Sequence, residues 1–239
     1  GVFFDITRTA RLELIRQEFL SSVSHELRTP LTSILAFVET LETGALDDPE
    51  SSRRFLSIIR KNASRMHGLI DDILELTAIE GGNVHLRPTH VELAPLVDEA
   101  ISALDAKAQA RGIRVTNQVP PNAGVYADAR RLERMLTNLI DNGIKFNRPN
   151  GHVRIRHESA ARDKIIVEDD GEGIPQHHLE RLFERFYRVD RSRSSDMGGT
   201  GLGLAIVKHL TLLHGGEVTV ASEPRKGTAF TIHLPHQPS

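Results

Sequence analysis

The residue types that can do chemistry fall into four short clusters. The first is Ser22-Val23-Ser24-His25-Glu26-Leu27-Arg28-Thr29-Pro30-Leu31. Imidazole titrates near neutrality, so one ring nitrogen of His25 can act as a nucleophile once the other gives up its proton. Glu26 stands beside it and can hold or take that proton. Arg28 brings cationic charge towards an incoming phosphate, Thr29 lies one helical turn on, and Pro30 removes a helical hydrogen bond, predicting a kink just past the site. The second cluster is Asn138-Leu139-Ile140-Asp141-Asn142 with Lys145 beyond it. At helical spacing Asn138, Asn142 and Lys145 share a face; carboxamide oxygens suit Mg2+, and an ammonium neutralises phosphate charge. The third, Asp169-Asp170-Gly171-Glu172-Gly173-Ile174, follows the apolar run Ile165-Ile166-Val167. A carboxylate at a strand end can accept from the exocyclic amine of adenine, and glycines let the backbone approach a planar ligand. The fourth, Gly199-Thr200-Gly201-Leu202-Gly203, opens a helix whose first N–H groups and dipole favour an anion.

Elements must place these residues. From Thr7 apolar residues recur at Leu12, Ile15, Phe19, Val23, Leu27, Ile34, Val38 and Leu41, mostly three or four apart. At about 100° per residue they cluster in a sector of roughly 140°, with His25 roughly opposite, facing solvent. Asp47-Asp48-Pro49 reads as a turn, with Ser51 or Ser52 as N-cap. A second helix carries Phe55, Ile59, Asn62, Met66, Leu69, Ile73 and Leu76, a heptad seam ended by Gly81-Gly82. A hairpin with such stripes buries them by pairing with a copy of itself, so the seam predicts a homodimeric four-helix bundle in which Asn62 helps fix register. Residues 1–7 read as a short strand-like piece.

Beyond Arg87 the pattern changes. Strands are expected near 89–93, 113–119, 125–127, 152–158, 164–169, 217–222 and 228–234, and helices near 95–110, 129–146, 176–184 and 202–214. This is an α+β layer domain with helices over one face of a sheet.

Composition narrows the possibilities. A net charge of −2 offers no broad basic surface for nucleic acid or an anionic membrane. The absence of cysteine excludes disulfides, thiolate metal sites and cysteine nucleophiles. No apolar run approaches the roughly 18 residues that span a bilayer. Of the 12 histidines, most of those other than His25 sit in polar or strand-like stretches at no metal-ligand spacing.

Together the clusters, in this order, resemble the core of a two-component sensor histidine kinase, from about residue 8 to about residue 235. His25-Glu26-Leu27-Arg28-Thr29-Pro30 looks like the H-box, Asn138 to Asn142 the N-box, and Asp169-x-Gly171-x-Gly173 the G1 box. Gly199 to Gly203 looks like the G2 box, Phe183 and Phe186 the F-box, and Gly227-Thr228 the last glycine box. The resemblance implies His25 as phospho-acceptor, Glu26 as general base, and Thr29 as the residue orienting a water, or a carboxamide-like group, for dephosphorylation of the partner regulator. It implies Asn142 as Mg2+ ligand, Asn138 and Lys145 at the phosphates, Asp169 reading adenine and Ile174 along the base. Gly171, Gly173, Gly199, Gly201, Leu202, Gly203 and Thr228 line the ATP site, and residues 187–200 form a lid whose Arg188, Arg191 and Arg193 either touch phosphate or are simply solvated. Phe146 stands where the family often has tyrosine.

The implied architecture is a multidomain α+β chain. Residues 1–7 are the remnant of an upstream sensor or linker, 8–82 a dimerising phosphotransfer hairpin, and 87–235 an α/β sandwich of the Bergerat or GHKL type. ATPases of that superfamily carry a water-activating glutamate where this chain has Asn138, so transfer to an acceptor is favoured over hydrolysis. The implied activity is autophosphorylation from Mg·ATP, phosphotransfer to a response-regulator receiver domain, and phosphatase activity on that regulator. The fragment is expected in the cytoplasm, the full-length protein anchored in the cell membrane. An ATPase clamp and a non-catalytic dimeric scaffold are the alternatives. Within the family, the Asp5-Ile6-Thr7 entry and the residues around His25 look most like the phosphate-regulon sensor kinase.

Overall fold

The computed structural model describes residues 6–44, 48–190 and 199–236. The chain divides into two compact units, Gly1–Leu74 and Glu75–Ser239.

The first unit is a helical hairpin of α1 (Ile6–Glu42) and most of α2 (Pro49–Glu80). Ile6 and Thr7 belong to α1 rather than to a strand; residues 1–5 of that expected strand lie outside the described residues. The N-cap of α2 is Asp48 and not Ser51 or Ser52. Its carboxylate accepts from the Glu50 and Ser51 N–H groups at 3.1 and 3.3 Å, and Pro49 takes the first helical position, where a missing N–H costs nothing. The short acceptor and the fixed proline φ move the start upstream of the serines.

The two seams meet each other within one chain. Leu41 and Leu69 are buried, Phe37 and Phe55 approach to 5.3 Å between ring centroids, and the Asn62 carboxamide donates to Ser33 across the hairpin at 3.3 Å. What stays uncovered is a second stripe. Leu20, Leu31 and Leu35 on α1 and Leu56, Ile70 and Leu74 on α2 are all between 44% and 63% exposed. At about 100° per residue each trio falls within a sector of about 60° or less. A hairpin with this much apolar surface in water has an unfilled face.

The second unit begins with the end of α2. A five-stranded sheet runs in the order β2 (Arg114–Asn117), β4 (His152–Ser159), β5 (Asp163–Asp169), β7 (Gly227–Leu234), β6 (Glu217–Glu223). Only the β2–β4 pair is parallel. A separate two-stranded ribbon pairs β1 (Thr89–Glu92) antiparallel with β3 (Gly124–Ala127), the two strands that flank β2 in the chain order. Three helices, α3 (Leu93–Ala110), α4 (Ala129–Lys145) and α6 (Gly203–Leu213), supply the second layer, α4 packing against both others. The core between the layers is aliphatic: Leu132, Leu136, Leu139, Ile140 and Ile144 of α4 face Val153, Ile155, Ile165 and Ile232 of the sheet, all at 1% exposure or less. The expected helix over 176–184 is only one turn, α5 (Gln176–Leu179). Turns follow because Phe186 must take a left-handed φ of 59° to meet Gly201.

Three polar clasps fix this unit. Asp128 caps α4 through the Arg131 N–H, accepts the Arg87 N–H, and donates its own N–H to Nε2 of buried His214 at the end of α6. Nδ1 of His214 donates to the Leu210 carbonyl, so the ring is the neutral Nδ1–H form, and burial lowers its pKa. Buried Asp163 holds both His157 and His236 at the β4–β5 turn. Glu75 of α2 receives Arg131 and Arg134 of α4, each at 2.9 Å.

Candidate functional site

The acceptor residues lie on α1. His25 is exposed, as the helical phase requires. The Thr29 hydroxyl donates back to the His25 carbonyl at 3.3 Å, which sets that hydroxyl on the same side of the helix one turn further on. Glu26 turns the other way: its half-buried carboxylate pairs with Arg65 of α2 at 3.2 Å. Arg28 is exposed, and Pro30 is buried within a helix that continues through it.

The second constellation lies in the sandwich. The buried apolar face of α4 fixes its rotation and so aims Asn138, Asn142 and Lys145 together along its other side. The Asn138 side chain has a buried Nδ2 with no hydrogen-bond partner among the described residues. A Cβ at Gly203 would lie 3.3 Å from the Asn138 oxygen, so the start of α6 closes on this carboxamide. An orphaned buried donor costs about 1–3 kcal/mol and calls for an acceptor; a phosphate oxygen fits. Lys145 rests on Asp141 at 2.5 Å, and Lys107 of α3 reaches the other oxygen of Asp141 at 3.1 Å. Burial opposes the charge on Asp141, but the two ammonium groups outweigh it and hold its pKa below the usual carboxylate range.

Asp169 ends β5 between two close backbone approaches. The Gly171 N–H donates to its carboxylate at 2.9 Å. Gly227 runs so close that a Cβ there would sit 1.9 Å from the Asp169 carbonyl oxygen. Burial pushes the Asp169 carboxyl up to about 6, against the backbone donors Gly171 and Thr228 and assisted by the neighbouring charges of Asp170 and Glu168. An ionised carboxylate kept this dry awaits a donor. Gly173 adopts φ 65° with Glu223 packed where a side chain would go, and the next residue, Ile174, donates its N–H to Ser222 at 2.8 Å. Ser222 in turn bonds the Gly227 carbonyl and the hydroxyl of buried Thr228.

At the start of α6, Leu202 is fully buried and donates its N–H to the Thr200 hydroxyl at 3.2 Å. Gly201, at φ 74°, lies against the Phe186 backbone, and the Arg188 guanidinium donates to the Gly199 carbonyl. Phe183 stacks edge-on to Phe230. Arg191 and Arg193 lie outside the described residues. The site residues of the sandwich therefore come from α4, the β5 end, the α6 start and the β7 start. Two residues of this set have no role assigned from the sequence: Asp141, which stands inside the Asn138–Asn142 stretch four residues before Lys145, and Ser222, 48 positions from its partner Ile174 with no sequence signal.

Two family models match. The His Kinase A (phospho-acceptor) domain covers residues 15–82, and the Histidine kinase-, DNA gyrase B-, and HSP90-like ATPase covers residues 127–238. The Phosphate regulon sensor protein PhoR of Pseudomonas aeruginosa is 38% identical over 96% of this chain and 52% of its own length. Mycobacterial sensor histidine kinase MprB is 32% identical, with a TM-score of 0.53 over 64% of this chain and 100% of the solved one. Histidine kinase ThkA, solved in complex with response regulator protein TrrA, has a TM-score of 0.76 at 26% identity, over 97% of this chain and 64% of that one. The chain thus belongs to the sensor histidine kinases, with a helical hairpin matching the phospho-acceptor domain followed by a GHKL-type α/β sandwich matching the ATPase domain. It spans 39–61% of the length of the first curated relatives it matches. No described helix is long and apolar enough to cross a membrane.

Proposed function

We propose that this chain is the catalytic core of a protein-histidine kinase that phosphorylates itself on His25 and passes the phosphoryl group to an aspartate of a response-regulator receiver domain. The phosphotransfer hairpin would be residues 8–82 and the ATP-binding domain residues 87–235. Asn138 carries the reading. It is a carboxamide where hydrolysing relatives place a water-activating glutamate, and its buried Nδ2, without a partner among the described residues, would be satisfied by a phosphate oxygen.

In this reading Asp169 accepts from the adenine amine while Gly171 and Gly173 let the backbone lie against the base beside Ile174. Asn138, Lys145 and the free N–H groups opening α6 hold the phosphates, with Gly199, Gly201, Leu202 and Gly203 shaping that turn. Thr228 supports the base site through Ser222, and Arg188 is within the same loop. Asn142 is the side chain suited to Mg2+, which supplies neutralisation of triphosphate charge when bound. One imidazole nitrogen of exposed His25 forms the N–P bond as the bond from the γ-phosphorus to its bridging oxygen breaks. Positioning and charge neutralisation supply most of the acceleration. The ring proton passes to a base, the role assigned to the neighbouring Glu26, whose carboxylate pairs with Arg65 at 3.2 Å in this structure.

The phosphoryl group then moves from nitrogen to the regulator's carboxylate. Thr29, one turn beyond, is placed to orient a water against that acyl phosphate, which gives the phosphatase activity. The uncovered stripe of α1 and α2 pairs with a second copy, making a homodimer. A chain that uses ATP in this way works in the cytoplasm.

The test is incubation with γ-labelled ATP and Mg2+. Acid-labile, base-stable label on the wild-type chain and none on His25→Ala is expected. Label retained in the variant, or steady phosphate release with no labelled protein, would refute the assignment and favour an ATPase clamp.

A further inference from the structure

Asp141 lies within the Asn138–Asn142 stretch of the nucleotide-proximal helix, but neither the resemblance nor the proposed mechanism gives it a role. Its carboxylate is largely buried, at 16% side-chain exposure, and each oxygen carries one ammonium: Lys145, itself 18% exposed, at 2.5 Å, and Lys107, 61% exposed, at 3.1 Å. On α4 it stands about 40° from Lys145 and about 60° from Asn138 around the helix axis. It therefore borders the face that presents Asn138, Asn142 and Lys145. The local charge is thus smaller than the two lysines suggest, because the cation assigned to the triphosphate has a carboxylate at contact distance.

We infer that Asp141 is a specificity-determining residue for the polyphosphate: a built-in competitor that weakens binding of the phosphate chain without touching the base. This rests on the proposed ATP site. The argument is one of sign. A triphosphate either displaces Asp141 from Lys145 or joins the pair and brings anionic oxygens near a fixed carboxylate, and both cost free energy. A neutral amide of the same shape removes the competitor, leaves Lys145 on its stem, and raises the local potential. Adenosine, which has no phosphate, does not sense the change. An attenuated grip suits a site that must exchange ADP for ATP after each transfer. Lys107, on the outer oxygen, draws part of the carboxylate's charge away from Lys145, so its removal acts in the opposite direction.

The test uses the whole 239-residue chain and compares dissociation constants for Mg·ATP, Mg·ADP and adenosine by titration calorimetry. Two unit charges about 4 Å apart near a protein surface interact by a few kcal/mol at most, and screening reduces this, so a gain of about three- to tenfold is expected. Asp141→Asn should bind ATP and ADP that much tighter, with adenosine unchanged and the gain shrinking as salt is raised. Lys107→Met should bind ATP more weakly. The double variant Asp141→Asn/Lys145→Met should lose the gain. ATP affinity unchanged or reduced in Asp141→Asn while adenosine still binds overturns the inference, as does equal tightening of adenosine, which would point to a structural effect. Failure of the wild-type chain to bind ATP or adenosine would sink the nucleotide-site reading along with it.

Discussion

Replacing Asp169 by asparagine removes a charge that the folded chain holds against its surroundings. Burial raises this carboxyl from 3.8 to about 6. Between those values the folded chain binds the proton more readily than the unfolded one, so stability is lost as the pH rises through this window and the full cost of the charged form is present above the folded value. A difference of about two pKa units corresponds to about 3 kcal/mol. The amide cannot recover all of it, being polar and buried too, so Asp169→Asn should stabilise the nucleotide-free protein by about 1–3 kcal/mol at pH 7.5. For a domain of this size that is roughly 3–10 °C in Tm. The gain should shrink through pH 6 to 4 and vanish where the wild-type carboxyl is protonated in both states. Binding should move the other way. The Gly171 N–H occupies one side of the carboxylate; an amide that keeps its oxygen there presents an NH2 to the adenine amine, donor against donor. Losing a charge-assisted hydrogen bond of about 1.5–3 kcal/mol costs about ten- to a hundredfold in affinity. Thermal unfolding from pH 4 to 8, with adenosine titrations on the same samples, reads both effects, and wild-type affinity should weaken below about pH 6. Coincident melting curves across the range would refute the burial argument; undiminished adenosine binding would refute the role of Asp169 in reading the base.

Two further outcomes follow from the geometry. Gly227→Ala puts a Cβ 1.9 Å from the Asp169 carbonyl at φ 112°, which should cost about 2–4 kcal/mol, measured as a lower denaturant midpoint with an unchanged slope. Leu31→Asn with Leu35→Asn replaces residues 45% and 60% exposed in the single chain; far-ultraviolet circular dichroism should be preserved while sedimentation equilibrium shifts from dimer to monomer.

The sequence made α4 readable because one helix had to satisfy two patterns at once. Leu132, Leu136, Leu139 and Ile140 mark its buried side, and Asn138 with Asn142 can only stand on the other. The exposure of His25 was legible for the same reason, since phase on a long amphipathic helix is additive over many residues. Signals failed where one contact outweighed a pattern. Asp48 captured the α2 start because two N–H groups converge on it, although Ser51 and Ser52 are equally good caps by type. The expected helix to residue 184 stopped at Leu179 because the chain turns to bring Phe186 onto Gly201, a partner that no local propensity reports. The seam of α1 and α2 was visible as a heptad pattern, but which partner covers it was not: the two helices cover each other's seam, and the exposed leucines beside it were the residues that spoke for a second copy. Ser222 was invisible because its work is to join the ends of two distant stretches.

The outer leucines also pose a problem of fidelity. Aliphatic stripes are chemically generic, and a cell that makes several chains of this family offers each one many near-equivalent mates. Mispairing would cross-wire one pathway with another, since a phosphoryl group placed on the wrong hairpin is delivered to the wrong recipient. Discrimination must therefore come from features that make incorrect combinations unfavourable. A polar residue set into an apolar seam does this at a modest energetic penalty, because an unmatched carboxamide is left without its hydrogen bond. The contact between Asn62 and Ser33 shows how such a residue is satisfied inside one hairpin, and polar positions bordering the outer stripe are where insulation between sister kinases would be written.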